Sequence, residues 1–298
     1  MKKDKNILVT GSHRSGSTWV GYVIAKAENI RYVHEPFNIG IKNNNSPFKH
    51  WFEHLNGTSI NHQKQATHYL NSFYVVFHIH TFRSAFKIRS LKGVRSFLTD
   101  LKKRLTSRTI VKDPIAIMSA EWIYENYNWN IVTLIRHPAA FVASLKVKNW
   151  EFDFNNFLQQ NLLIDNYLKN YSVLIEDYTK NKKDIIDQGI LLWNIIHDVI
   201  YYYKEKYGEN WYFVKHEDLS KNPIPEFEKM FRYLNLKANN VVEDYINKTT
   251  TSKENSSYNR NSVENLKTWK NRLTTEEIYR IKEGTKNIWT RFYTENDW

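Results

Sequence analysis

The strongest constraint on this chain sits near its amino end. Asn6-Ile-Leu-Val-Thr10 is a short, β-branched apolar run, the pattern of a strand buried on both faces. Three of the 9 glycines follow, at Gly11, Gly16 and Gly21, and the segment from Thr18 to Asn29 carries Trp19, Val20, Val23, Ile24 and Ala27 at helical spacing. Strand, glycine-bracketed turn and helix in succession make a βα unit. Within it, Gly11-Ser-His-Arg-Ser-Gly16-Ser17-Thr18 has two glycines with four residues between them, ahead of a Ser/Thr pair that opens the helix. Such a turn aims successive backbone N–H groups at an anion, and the helix N-terminus adds the positive end of its dipole. The loop therefore predicts a phosphate-like ligand.

The rest of the chain repeats the alternation. Strand patterns occur at Ile30–Val33, Tyr74–Ile79, Thr109–Val111, Ile131–Ile135 and Trp211–Val214. Helical patterns occur at Ile115–Tyr127, Ala139–Lys148, Phe154–Leu174, Ile185–Tyr207 and Pro225–Leu234. Alternation of this kind predicts an α/β fold, a P-loop-like three-layer sandwich with a mostly parallel central sheet and ligands beyond the carboxyl ends of its strands. We expect residues 1–298 to form a single domain with a variable basic helical insert at about 40–108.

Charge is unevenly spread. The chain's 43 Lys and Arg against 31 Asp and Glu leave +12. From Arg83 to Lys112 ten basic residues face one acid, Asp100, a local +9. Leu91, Val94, Leu98, Leu101 and Leu105 recur there at helical steps, so the expectation is a basic helix with a solvated face over a buried apolar stripe. The polar stretch Thr249–Ser262 reads as a long exposed loop. The absence of cysteine excludes a disulfide scaffold, a thiol nucleophile, Fe–S clusters and Cys-ligated zinc. Ile7–Val9 is too short for a signal-peptide core and no window approaches a membrane span, so a cytoplasmic location is expected.

Two departures from a nucleoside triphosphatase follow. The residue after the second loop glycine is Ser17, not Lys, and the loop's cation is Arg14. The strand pattern Ile131–Ile135 runs into Arg136-His137-Pro138, where a magnesium-binding Asp would otherwise stand. An Arg there attracts a phosphate, and Pro138 suits the first turn of a helix whose N-terminus favours an anion. Ser144 lies eight residues beyond Arg136, about two helical turns on. Two anion sites and no evident metal ligand suggest a nucleotide with phosphates at both ends of its ribose.

GSHRSGSTW and IRHPAAFVASL together resemble the sulfotransferases that use 3′-phosphoadenosine 5′-phosphosulfate (PAPS) and release 3′-phosphoadenosine 5′-phosphate (PAP). Val111-Lys112-Asp113-Pro114, Val214–Leu219 with Asn222-Pro223, and Thr268-Trp269-Lys270 resemble recurring stretches of its bacterial and carbohydrate branches, whereas Gly40–Leu105 resembles nothing in particular. The resemblance implies a cofactor site in which Arg14, Ser15, Gly16, Ser17, Thr18 and Trp19 hold the phosphosulfate, while Arg136, Ser144 and Arg260 hold the 3′-phosphate. It implies no metal. Arg14 and Lys112 would stabilise charge on the reacting group. The His that serves as base in the cytosolic branch is replaced by Pro114. Glu35, in His34-Glu35-Pro36, is the first candidate for that role, followed by Asp113, His34 and His80.

The expected function is therefore transfer of the PAPS sulfuryl group to an acceptor hydroxyl, on a carbohydrate or glycan, with no nucleic-acid partner. Ten Trp and 19 Tyr are available for sugar stacking. A peripheral membrane or an anionic glycan is a candidate partner for the 83–112 stretch. A P-loop kinase or nucleotidase and a non-catalytic binder of anionic polymers are the alternatives. His78 and His80, two apart on one strand pattern, fit a packed pair better than a metal site.

Overall fold

The structure, a computed structural model, describes residues 5–41, 46–75, 78, 89–251 and 264–298. Five strands form one sheet: β1 Ile7–Gly11, β2 Ile30–His34, β3 Arg108–Lys112, β4 Asn130–Ile135 and β5 Tyr212–Lys215, in the order β2-β3-β1-β4-β5. Every pairing is parallel, with Leu8 opposite both Val111 and Ile131. Successive side chains on a strand leave opposite faces. Ile7 and Val9 accordingly pack with Val20, Val23 and Ile24 of α1 (Ser17–Ile24), while Leu8 enters the larger core on the other side. That larger core also receives α2 (Pro138–Lys148) and the long α3 (Ile185–Tyr207). The α1 side is completed by α4 (Pro223–Leu234) and α5 (Asn240–Thr251). This is the α/β three-layer sandwich expected from the alternation. Both faces of the sheet are covered, which is why its strands read as continuous apolar runs.

Four local expectations are corrected. Tyr74 is not in a strand but ends a helix, Ile60–Tyr74, whose N-cap Ser59 accepts from the His62 amide; Val75 and His78 are not in strands either, and the remainder of that pattern lies outside the described residues. The ring of Tyr74 packs edge-on against Tyr127 and Trp129, a use of aromatics that composition alone reads as strand. The Phe154–Leu174 pattern breaks into short turns before a helix at Ser172–Lys180. Gln160 interrupts it, bonding the backbone of Phe52, His54 and Asn156 instead of continuing a helix. The stretch from Pro114 to Ser119 winds as a 3₁₀ helix before an α-helix at Ala120–Tyr127. The first residues of the expected polar loop, Thr249–Thr251, belong to α5, and 252–263 lie outside the described residues.

A fifth correction concerns the basic helix, which spans Leu91–Thr106 and buries none of its residues. Its polar side faces the body: Asp100 binds Arg31 of β2 at 3.0 Å, and Arg104 binds Asp100 at 2.7 Å and the Ser72 carbonyl at 2.7 Å. Of the apolar stripe, Leu91, Val94, Leu98 and Leu105 are exposed and Leu101 is half-buried, the reverse of the buried stripe expected.

Candidate active site

The loop after β1 carries the first group. Gly16, the residue before α1, has φ +85°, and a Cβ there would lie 2.4 Å from Nδ1 of His216. Only glycine fits, and the turn brings the start of α1 against the first residue of the short helix His216–Lys221. Arg14 adopts φ 63° and sends its guanidinium out of the loop, where Nε donates to Ser144 Oγ at 2.8 Å and the group lies 5.3 Å from the Trp150 ring centre. Ser15 is fully buried and its hydroxyl donates to the Ser12 carbonyl. Trp19 donates from Nε1 to Thr249 Oγ1 at 2.9 Å and packs edge-on against Phe227.

The second group stands at the ends of β2 and β3. Lys112 is fully buried, and its Nζ meets Glu35 Oε1. Gly21 makes this possible, because a Cβ there would lie 3.0 Å from Lys112 Cγ. Glu35 follows β2 at φ 42°, its amide donating to the Lys112 carbonyl at 2.9 Å and its Oε2 accepting from Asn38 at 2.6 Å. Burial pushes the Glu35 carboxyl up, but the Lys112 ammonium outweighs it and holds the group below its ordinary value. Asp113 is fully enclosed and accepts from the amides of Phe37 and Ile115 at 2.6 and 3.2 Å. Burial raises it to about 8 against the pull of those amides. Those bonds tie the Glu35-bearing turn to β3. His34 is exposed, 3.9 Å from Glu35.

The third group follows β4. Arg136 is largely enclosed, and burial lowers its affinity for a proton. Its Nε stands 3.5 Å from Glu217 with no hydrogen-bond partner. Glu217 is itself occupied by the His137 amide and the Tyr293 hydroxyl. An unsatisfied donor on an enclosed guanidinium is costly, and an anion would satisfy it. Ser144, one face of α2 further on, points to the same space.

One cavity of about 1200 Å³ joins these groups. Arg14, Gly16, Ser17, Thr18 and Trp19 line it together with Arg136, Ser144, Glu35 and His34. Ser15, Lys112 and Asp113 lie behind that surface. Arg260 and His80 fall outside the described residues. The sequence placed Arg14 and Ser144 at opposite ends of a ligand, whereas here they touch.

Sequence reasoning missed several lining residues. His13, in the loop itself, is lowered to about 4 chiefly by burial and then by Arg14, and its Nδ1 has no partner. His216 and Trp269 sat inside stretches already singled out, Val214–Leu219 and Thr268–Lys270, but had no role assigned. Trp51, Trp150 and Arg272 carried no local signal at all. Among the described residues no group of three or more His, Cys, Asp or Glu is placed to hold a metal, and no helix is long and apolar enough to cross a membrane.

The enclosed Arg136, the positive-φ loop at Gly16 and the Lys112–Glu35 pair suit a ligand with separated anionic groups and a reacting centre beside a carboxylate. No curated protein matches the chain. Among solved structures, the sulfotransferase domain from the curacin biosynthetic pathway is similar over 98% of both chains at 12% identity, TM-score 0.53. Sulfotransferase STF9 from Mycobacterium avium is similar over 98% of this chain and 78% of its own, at 12% identity and TM-score 0.46. Mouse sulfotransferase SULT7A1 complexed with PAP is similar over 98% of this chain and 86% of its own, at 12% identity and TM-score 0.47. The sulfotransferase domain model matches residues 4–293, nearly the whole length, so this chain belongs to the sulfotransferase family and is a transferase of sulfuryl groups.

Proposed function

We propose that the cavity binds PAPS and that the protein moves its sulfuryl group to a hydroxyl of a carbohydrate. The observation that carries this reading is the pairing of two anion-seeking sites with one carboxylate in a single cavity: Arg14 and the Gly16 turn, enclosed Arg136 with its unsatisfied Nε, and Glu35. Arg136 and Ser144 hold the 3′-phosphate, and Arg14, Gly16, Ser17 and Thr18 hold the 5′-phosphosulfate, with Ser15 shaping the loop from behind and Trp19 beside them. Arg260 belongs to the same phosphate contact by its position in the sequence. Arg14 exchanges Ser144 for a ligand oxygen on binding.

Glu35 takes the proton of the acceptor hydroxyl as its oxygen bonds to sulfur. The bridging S–O bond breaks, and its electron pair stays on the 5′-phosphate of PAP. Lys112 then has a better partner than Glu35, because the leaving oxygen gains the charge that Glu35 loses on protonation. Asp113 is a positioning residue that fixes the turn carrying Glu35. Nothing in this scheme requires a metal ion. Trp51 and Trp150, with Asn38 and Asn156, line the same cavity and combine ring faces with amides, which favours a sugar acceptor.

A thermal-shift measurement with PAP tests the reading. PAP without metal should raise the melting temperature by mass action, and Arg136→Ala should remove that shift. Glu35→Gln should keep it and lose sulfate transfer. No shift at saturating PAP overturns the assignment, and full transfer by Glu35→Gln overturns the role of Glu35.

A further inference from the structure

The helix Leu91–Thr106 is mounted with its polar side against the body. It is 16 residues long, about 24 Å at 1.5 Å per residue. At 3.6 residues per turn, Asp100 and Arg104 share one side, where they bind Arg31 and the Ser72 carbonyl. Phe97 and Leu101, half-buried, adjoin that side, and further round Leu91, Val94, Leu98 and Leu105 have 90%, 44%, 56% and 55% of their surface exposed. Arg95 and Lys102 border the stripe and Lys92 and Lys103 lie further round, all four exposed. The helix's one acid, Asp100, is held between Arg31 and Arg104 on the body side. A row of outward leucines beside cations, without an outward carboxylate, is the pattern of an interfacial helix.

We propose that this helix docks the protein on an anionic lipid surface, the leucines entering the acyl boundary and Arg95, Lys102, Lys92 and Lys103 reaching the headgroups. Other occupants fit less well. A second copy docked stripe to stripe would set these cations against the same cations, because a two-fold contact is self-complementary. A nucleic acid or a sulfated polysaccharide would engage the cations and leave the leucines in water.

Co-sedimentation of the full chain with vesicles distinguishes these. The protein should bind phosphatidylglycerol–phosphatidylcholine vesicles, bind pure phosphatidylcholine weakly, and be released by salt. Arg95→Gln with Lys102→Gln should weaken binding about thirtyfold, from roughly fivefold per basic residue at an anionic surface. Leu91→Asp with Leu98→Asp should abolish binding while leaving the melting temperature and the PAP-induced shift unchanged, so loss of the docking surface is separable from loss of the fold or of the donor site. The proposal is overturned if the wild type fails to bind anionic vesicles at low salt, or if the Asp variant binds as well as the wild type. Binding of heparin in place of vesicles, or a dimer in solution that the Asp variant dissociates, overturns it too.

Discussion

Removing the charge of Glu35 should destabilise the free protein and strengthen its hold on PAP. Lys112 has no exposed surface, and Glu35 keeps 18% of its side chain in solvent, so in Glu35→Gln a buried ammonium loses the carboxylate it is paired with. Breaking a buried pair from one side costs about 3–5 kcal/mol, and the partial exposure of Glu35 places this case near about 3 kcal/mol. At about 2–4 °C per kcal/mol for a chain of this size, the melting temperature should fall by roughly 6–12 °C. Adding Lys112→Met removes the stranded charge, so the double variant should recover most of that loss, since replacing both members of a buried pair is often neutral. In the donor site proposed above, the PAP phosphate takes the place of Glu35 beside Lys112. A charge-assisted hydrogen bond is worth about 1.5–3 kcal/mol, so PAP should bind Glu35→Gln roughly 10- to 100-fold more tightly than the wild type, and this gain should vanish in the double variant. Melting curves of the four proteins with and without PAP measure both effects. The reasoning is refuted if Glu35→Gln melts within about 2 °C of the wild type, if the two substitutions are additive, or if PAP stabilises Glu35→Gln no more than the wild type.

The pH profile of transfer follows from the same pair. Lys112 holds Glu35 below its ordinary value, so the carboxylate persists as pH falls, and kcat/KM should stay level from pH 7 down through the ordinary carboxylate range before its acid limb begins. The sign for stability is the same: the contribution of Glu35 is complete above its unfolded value and is lost as pH drops through the lower folded one, which acid-titrated melting curves would show. An acid limb near pH 6 would rule out Glu35 as the group titrating. Gly16→Ala should cost at least about 1–2 kcal/mol for its left-handed backbone, and its Cβ would also displace the His216 ring 2.4 Å away. Calorimetry should show a lower melting temperature and no PAP shift, and an intact shift would mean that the turn does not bind the ligand.

What could be read from the sequence follows from how locally each feature is determined. β1, β3 and β4 are buried on both faces, so their β-branched runs announce themselves without knowledge of neighbours. The anion sites proposed at Gly16 and Arg136 are legible because each stands where a strand turns into a helix, a geometry that favours an anion. His216, Trp150 and Arg272 reach the cavity from separate parts of the chain, and only the closed sheet brings them together. The Ile60–Tyr74 helix buries just Ala66, Tyr69 and Leu70, too few for a period to stand out. The basic helix shows a different limit. A helical period reports that two faces differ, and the usual inference turns the apolar one inward. Here Arg31, Ser72 and Val75 offer the body-side partners, two of them backbone carbonyls with no signature in the sequence. Asp100 and Arg104 answer them, and the leucines are left facing out. Orientation is therefore decided by what the helix meets, and polar partners at its seat turn a pattern that reads as core into one that serves an external surface.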